Sequence, residues 1–224
     1  MQSESLIEIP PGYQRGIRFG ANWTLFISPY LILYFIMVIA IEGASSDDIG
    51  QTLELAGKSP VAFGATVLLD GLFHVLFFVT VVTLFTALRL NWPVRASLIL
   101  VCGAWQMLMG FTKALSSLLT FTQLGAAYIA GDATLRAMLL PVAAGEYGLW
   151  QALQWMDSLG VMAIWIIVSL LPPSAGLPRP VRWLGWIMAL AILSPDPAFL
   201  LVILLSPVWL FLLGRWLKRL LSAR

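Results

Sequence analysis

Ionisable residues are scarce in this chain: 11% of its 224 residues are Asp, Glu, Lys or Arg, against about 25% in ordinary soluble domains. One cysteine, Cys102, excludes an intrachain disulfide and a cysteine-built zinc cluster. It sits inside an apolar run and reads as a small buried hydrophobe. One histidine, His74, excludes bis-histidine haem ligation, a carboxylate–histidine di-iron site and HExxH zinc chemistry. No GxSxG elbow, phosphate-binding glycine loop, lipidation signal or low-complexity tract occurs. The sequence therefore assigns no cofactor, no metal site and no catalytic residue, and it carries nothing that would read a nucleic acid.

What is present is apolar. Hydrophobic residues make up 60% of the chain, in runs that stay apolar all the way round a helix, as expected where lipid is the solvent. The fold class is all-α: a polytopic integral membrane helical bundle in contact with a lipid bilayer. Glu4 and Glu8 precede any basic residue, and the first apolar run exceeds a signal-peptide core, so that run is expected to be retained as a span.

Residues 1–18 read as a polar lead-in and 19–214 as a six-span domain, with spans at about 19–41, 61–88, 96–120, 147–171, 181–194 and 198–213. Helical pattern could carry the third span on to Ile129, and 131–146 reads as an interfacial segment. Glu42 to Pro60 is a polar connection, and Ser194-Pro195-Asp196-Pro197 separates the last two runs. The fifth run is about 14 residues, roughly 20 Å, short of a core of about 30 Å, so the last pair either crosses or forms a re-entrant hairpin. Residues 215–224 form a basic tail in which Arg215, Lys218 and Arg219 are placed to hold anionic lipid.

Charge sorts by side. Arg15, Arg18, Arg89, Arg95, Arg179, Arg182, Arg215, Lys218, Arg219 and Arg224 fall at alternate span ends. The opposite ends hold Lys58 and Arg136 together with Glu42, Asp47, Asp48, Glu54, Asp132, Glu146 and Asp196. Under the positive-inside rule both termini are cytoplasmic.

Against that background three residues stand out: Asp70, Lys113 and Asp157 lie inside apolar runs. A charge at mid-bilayer costs about 3 kcal/mol on insertion scales, so it is expected to have a partner or a task. Thr66, Asp70 and His74 share a helix face at i, i+4 and i+8. Gln106, Lys113, Ser117 and Thr120 form a stripe on the third span, and Gln151, Gln154, Asp157 and Ser158 one on the fourth. Measured from the outer span ends, the three charges differ in depth by roughly 5 Å, within reach of a lysine. The expectation is an Asp70–Lys113–Asp157 network, with His74 one turn deeper and Gln106 and Gln154 beside it. Its formal excess of one negative charge requires a protonated carboxyl or a cationic His74.

Trp23, Trp92, Trp150, Trp183 and Trp216 fall near the interfaces. Trp105, Trp155 and Trp165 are deeper, where they either line a pocket for an apolar ligand or, the better reading, take part in ordinary packing. Asp70 in a span ending Leu88-Arg89, a short turn and a further span, together with Leu177-Pro178-Arg179 and Trp183-Leu184-Gly185-Trp186, resembles a bacterial membrane family catalogued as domain of unknown function 4386. That resemblance implies six helices in a bacterial inner membrane and brings no activity with it.

Three functions compete. The first is an accessory membrane protein, with other membrane proteins as candidate partners, whose charged network is structural. The second is a small transporter or proton- or cation-coupled protein using Asp70 and Asp157. The third, a membrane enzyme on a lipid-like substrate, rests only on Glu146 and Tyr147.

Overall fold

A computed structural model describes residues 9–42, 48–193 and 197–222. Among them are seven α-helices: α1 (Pro11–Glu42), α2 (Ile49–Lys58), α3 (Pro60–Leu88), α4 (Pro93–Ala130), α5 (Ala133–Ser169), α6 (Arg179–Ile192) and α7 (Pro197–Ser222), with a 3-10 turn at Pro173–Ala175. The fold is all-α, and α1, α3, α4, α5 and α7 are long and apolar enough to cross a membrane. The 29 residues of α3, for example, reach about 44 Å. Five such helices mark a multi-pass membrane protein. The 14 residues of α6 give about 21 Å, so the fifth of the expected spans is short.

Several boundaries differ from those the sequence suggests, each for a local reason. α1 begins at Pro11, where a missing N–H costs a helix nothing. α4 continues beyond residue 120 to Ala130 because its apolar pattern persists until Gly131. There Arg136 donates from Nε to the carbonyls of Tyr128 (2.9 Å) and Gly131 (3.0 Å), and from Nη2 to that of Ile129 (3.2 Å). These bonds satisfy a helix end that would otherwise be bare. α5 starts at Ala133, with Asp132 accepting from the Leu135 N–H at 2.9 Å, and runs through Pro141. Most of the segment read as interfacial is therefore helix.

The polar connection after α1 contains α2. Asp48 caps it by accepting from the Gly50 N–H at 2.8 Å, and Glu54 pairs with Lys58 at 2.5 Å one turn apart. The break at Ser194-Pro195-Asp196 lies outside the described residues, as do Glu4, Glu8, Asp47 and Arg224.

The chain divides into two units. Unit one comprises Met1–Ile32, Leu76–Met107 and Ser158–Arg224; unit two comprises Leu33–Val75 and Leu108–Asp157. α1, α3, α4 and α5 contribute a segment to each.

Within unit one, small residues let helices approach closely. A Cβ on Gly20 would collide with Thr83, and one on Gly103 with Val81. Hydroxyls supply further links: Thr24 and Thr80 lie 3.0 Å apart, and Ser28 donates to the Pro207 carbonyl at 2.8 Å. Arg182 closes the α5–α6 connection, donating to the carbonyls of Leu171 (2.6 Å) and Pro172 (3.0 Å). Two tryptophans pin α7: Trp209 donates to the Val181 carbonyl at 3.1 Å and Trp216 to that of Ala175 at 3.2 Å. Trp216, read as interfacial, is thus a buried anchor, and Trp165 packs edge-on to Trp209. Trp105 is exposed, and Cys102 is half-buried with a free thiol.

Within unit two, α2 seats Leu53 and Ala56 against Phe63, Phe121 and Ala143. Gly57 and Gly125 meet backbone to backbone beside them. The outward residues of this unit are apolar, including Ile36 and Ile39 on α1, Leu68 and Leu72 on α3, Leu115 and Leu119 on α4, and Leu149 and Trp155 on α5. Buried instead are Thr66, His74, Lys113, Ser117 and Asp157. Apolar outside and polar inside is the arrangement a hydrocarbon solvent selects.

Candidate functional site

His74, Lys113 and Asp157, three of the buried polar residues of unit two, converge with Asp70 and Tyr34 on one cluster, supplied by α1, α3, α4 and α5. It begins with an approach of two helices. Gly71 of α3 packs on Ala114 of α4, where an added Cβ would lie 3.0 Å from the alanine methyl. One turn further along α3, the His74 ring lies flat against Gly110, and a Cβ there would overlap ring atoms Cγ, Nδ1 and Cε1. Glycine is therefore what allows an imidazole to sit between these helices. The close approach also lets Lys113 reach across.

Lys113 is 3% exposed. Its Nζ lies 2.8 Å from Asp70 Oδ2 and donates to Gln154 Oε1 at 2.7 Å. Both distances are those of short charge-assisted hydrogen bonds. The Trp150 ring centroid stands 5.6 Å from the same ammonium, within cation–π range. Trp150 itself stacks on Tyr147 at 5.5 Å. An ammonium in an apolar setting thus meets a carboxylate, an amide oxygen and an aromatic face.

Asp70 gathers donors from three helices. Besides Lys113 on Oδ2, its Oδ1 accepts from the Tyr34 hydroxyl of α1 at 3.2 Å and lies 3.5 Å from His74 Nε2. The 3.6-residue period places Asp70 and His74 one above the other. The other ring nitrogen, Nδ1, lies 3.4 Å from Asp157 Oδ1 on α5. The sequence reading placed the lysine between the two acids, with His74 a turn away. In the structure the imidazole stands between the carboxylates, and the lysine holds Asp70 from the far side. Both imidazole contacts exceed the 2.7–3.2 Å of a well-formed hydrogen bond, so they are electrostatic contacts and weaker than those of Lys113.

Charge accounting is informative. Two carboxylates and one ammonium leave one negative charge. A neutral imidazole offers one N–H and one lone pair, so it attracts only one ionised carboxylate. Both contacts are attractive when the ring carries hydrogen on both nitrogens, or when one carboxyl is protonated. In either state the cluster is neutral and holds one proton beyond the lysine's own.

Gln106 is fully buried and belongs to unit one, where Gly160 packs against it with an added Cβ only 3.0 Å from its own. Tyr34 and Trp150 join the site without having been singled out for it. A tyrosine in an apolar run and a tryptophan near a span end are ordinary in membrane helices, so neither carries a warning. Among the described residues, no group of three or more His, Cys, Asp or Glu side chains is placed to hold a metal ion. The chain matches no family model, no curated protein and no solved structure.

Proposed function

We propose that this is a six-span integral protein of the bacterial inner membrane, with both termini cytoplasmic, that serves as an accessory component and not as an enzyme. α6 and α7 supply the last two segments. The partition of charge supports the topology: Arg15, Arg18, Arg89, Arg95, Arg179, Arg182, Arg215, Lys218 and Arg219 fall at alternate helix ends along the chain, while Lys58 and Arg136 fall at the ends between them. The loose resemblance to domain of unknown function 4386 agrees with six helices. The observation that carries the structural role is the complete set of partners around Lys113, drawn from α3 and α5. A charge so fully held fixes which helices meet.

Topology is tested by labelling intact cells with an impermeant maleimide in a Cys102→Ser background. Lys58→Cys should label, and Arg219→Cys should label only after lysis; the reverse pattern removes the reading. The role is tested by asking whether a folded Lys113→Met/Asp70→Asn double variant replaces the wild type in cells. Failure despite normal folding and abundance would show that the charges do more than hold helices.

The second reading, a proton- or cation-coupled transporter using Asp70 and Asp157, draws support from the imidazole set between these two acids. Its test is flux: Asp70→Asn and Asp157→Asn should each abolish an activity that the wild type shows in vesicles.

A further inference from the structure

We propose that Arg89, in the turn between α3 and α4, binds the headgroup phosphate of an anionic phospholipid, with the Tyr13 ring holding its guanidinium in place. The site lies within unit one and stands apart from both readings of the charged cluster.

The described part of unit one carries arginines and lysines but no aspartate or glutamate. No ion pair among the described residues includes any of these cations. Cations placed at a membrane surface draw their counter-charge from anionic lipid. Arg89 is distinguished from the others by the way it is held.

Two other helix ends show what an arginine does for bare carbonyls. Arg136 donates to those of Tyr128, Ile129 and Gly131, and Arg182 to those of Leu171 and Pro172. Arg89 directly follows α3, yet its guanidinium has no hydrogen-bond acceptor among the described residues. The main chain already closes that helix end: the N–H groups of Asn91 and Trp92 both donate to the Leu88 carbonyl, at 3.2 and 2.8 Å. The guanidinium carbon lies instead 4.3 Å from the centroid of the Tyr13 ring and 5.9 Å from that of Phe85. Asn91, in the same turn, adds a second side-chain donor without an acceptor, its Nδ2.

A guanidinium held by an aromatic face keeps its donors for a planar edge-on partner, and its fork matches a phosphate through two parallel hydrogen bonds. Depth suits a headgroup. Tyr13 stands in the first turn of α1 and Arg89 just past the last residue of α3, both of them helices able to cross a membrane. Both residues therefore fall where hydrocarbon gives way to polar lipid.

The experiment is native mass spectrometry of the full-length protein in detergent, titrated with phosphatidylglycerol or phosphatidylcholine. The wild type should hold one phosphatidylglycerol about tenfold more tightly than phosphatidylcholine. Arg89→Gln should weaken that site about tenfold and Tyr13→Leu about threefold. A triple variant of the tail, Arg215→Gln/Lys218→Gln/Arg219→Gln, should keep it. Equal affinity for the two lipids overturns the proposal, as does an Arg89→Gln protein that binds phosphatidylglycerol like the wild type. If Arg89→Gln does not fold, thermal unfolding of the tail variant decides. Phosphatidylglycerol should raise its Tm where phosphatidylcholine and inorganic phosphate do not. No rise overturns the site, and an equal rise with inorganic phosphate assigns it to a soluble anion and overturns the lipid.

Discussion

Gly110 offers the sharpest probe of how the cluster is held. Replacing it by alanine adds one methyl group, and the structure places that methyl inside the His74 ring. The added methyl and the ring cannot share that space, so the imidazole must move or the helices must part. Overpacking of this kind costs about 1–3 kcal/mol. A displaced ring also loses its Nδ1 contact with Asp157, now 3.4 Å. Against this stands the higher helix propensity of alanine, worth up to about 1 kcal/mol in an exposed helix. The net expectation is a loss of about 1–2 kcal/mol.

Two controls isolate the cause. Gly145 and Gly148 have no atom within 4 Å of an added Cβ, so alanine there should be neutral or slightly stabilising. In a His74→Ala background, Gly110→Ala should lose its penalty, because the atoms it strikes are gone. Thermal unfolding in one detergent, followed by circular dichroism, measures all of these. A Gly110→Ala protein as stable as Gly145→Ala would refute the wedge, as would an equal penalty with and without the imidazole.

Other perturbations have smaller or differently placed effects. Tyr34→Phe removes one donor to Asp70 at 3.2 Å and should cost roughly 0.5–1.5 kcal/mol by the same unfolding assay, since Lys113 and His74 still face the carboxylate. Gly125→Ala would put a Cβ 2.7 Å from the Gly57 nitrogen and 2.8 Å from the Leu53 carbonyl oxygen. These are backbone atoms that cannot rotate away, so α2 should detach and protease sensitivity at 49–58 should rise, with little change in the charged cluster.

The candidate site was legible where physics made it conspicuous. Charges within apolar runs are expensive, so Asp70, Lys113 and Asp157 announced themselves, and helical spacing tied His74 to Asp70. The order of contacts was not legible. Depth counted along a helix ignores rotation about its axis, and it was glycine at 110, facing the ring, that put His74 between the acids. Tyr34 was hidden because aromatic residues are common in membrane helices. α2 escaped notice because ten residues flanked by polar ones resemble a loop, although Asp48 before it and Lys58 at its end are ordinary helix boundary signals. The run of α4 to Ala130 lies within the extension its helical pattern allowed, whereas the helical start of α5 at Ala133 was read as an interfacial segment; capping by Asp132 and Arg136 sets both ends.

The central claim is that Asp70, itself partly buried, and the buried Lys113 form an ion pair that joins α3 to α4. It is tested most directly by a double-mutant cycle in detergent-solubilised protein, using Lys113→Met, Asp70→Asn and both together. Breaking a buried pair strands its partner, so each single variant should lose about 3–5 kcal/mol. The double variant should recover much of that loss, with a coupling of about 1–3 kcal/mol. Single variants as stable as wild type, or losses that simply add, would contradict the account and show that the bundle is held by other contacts.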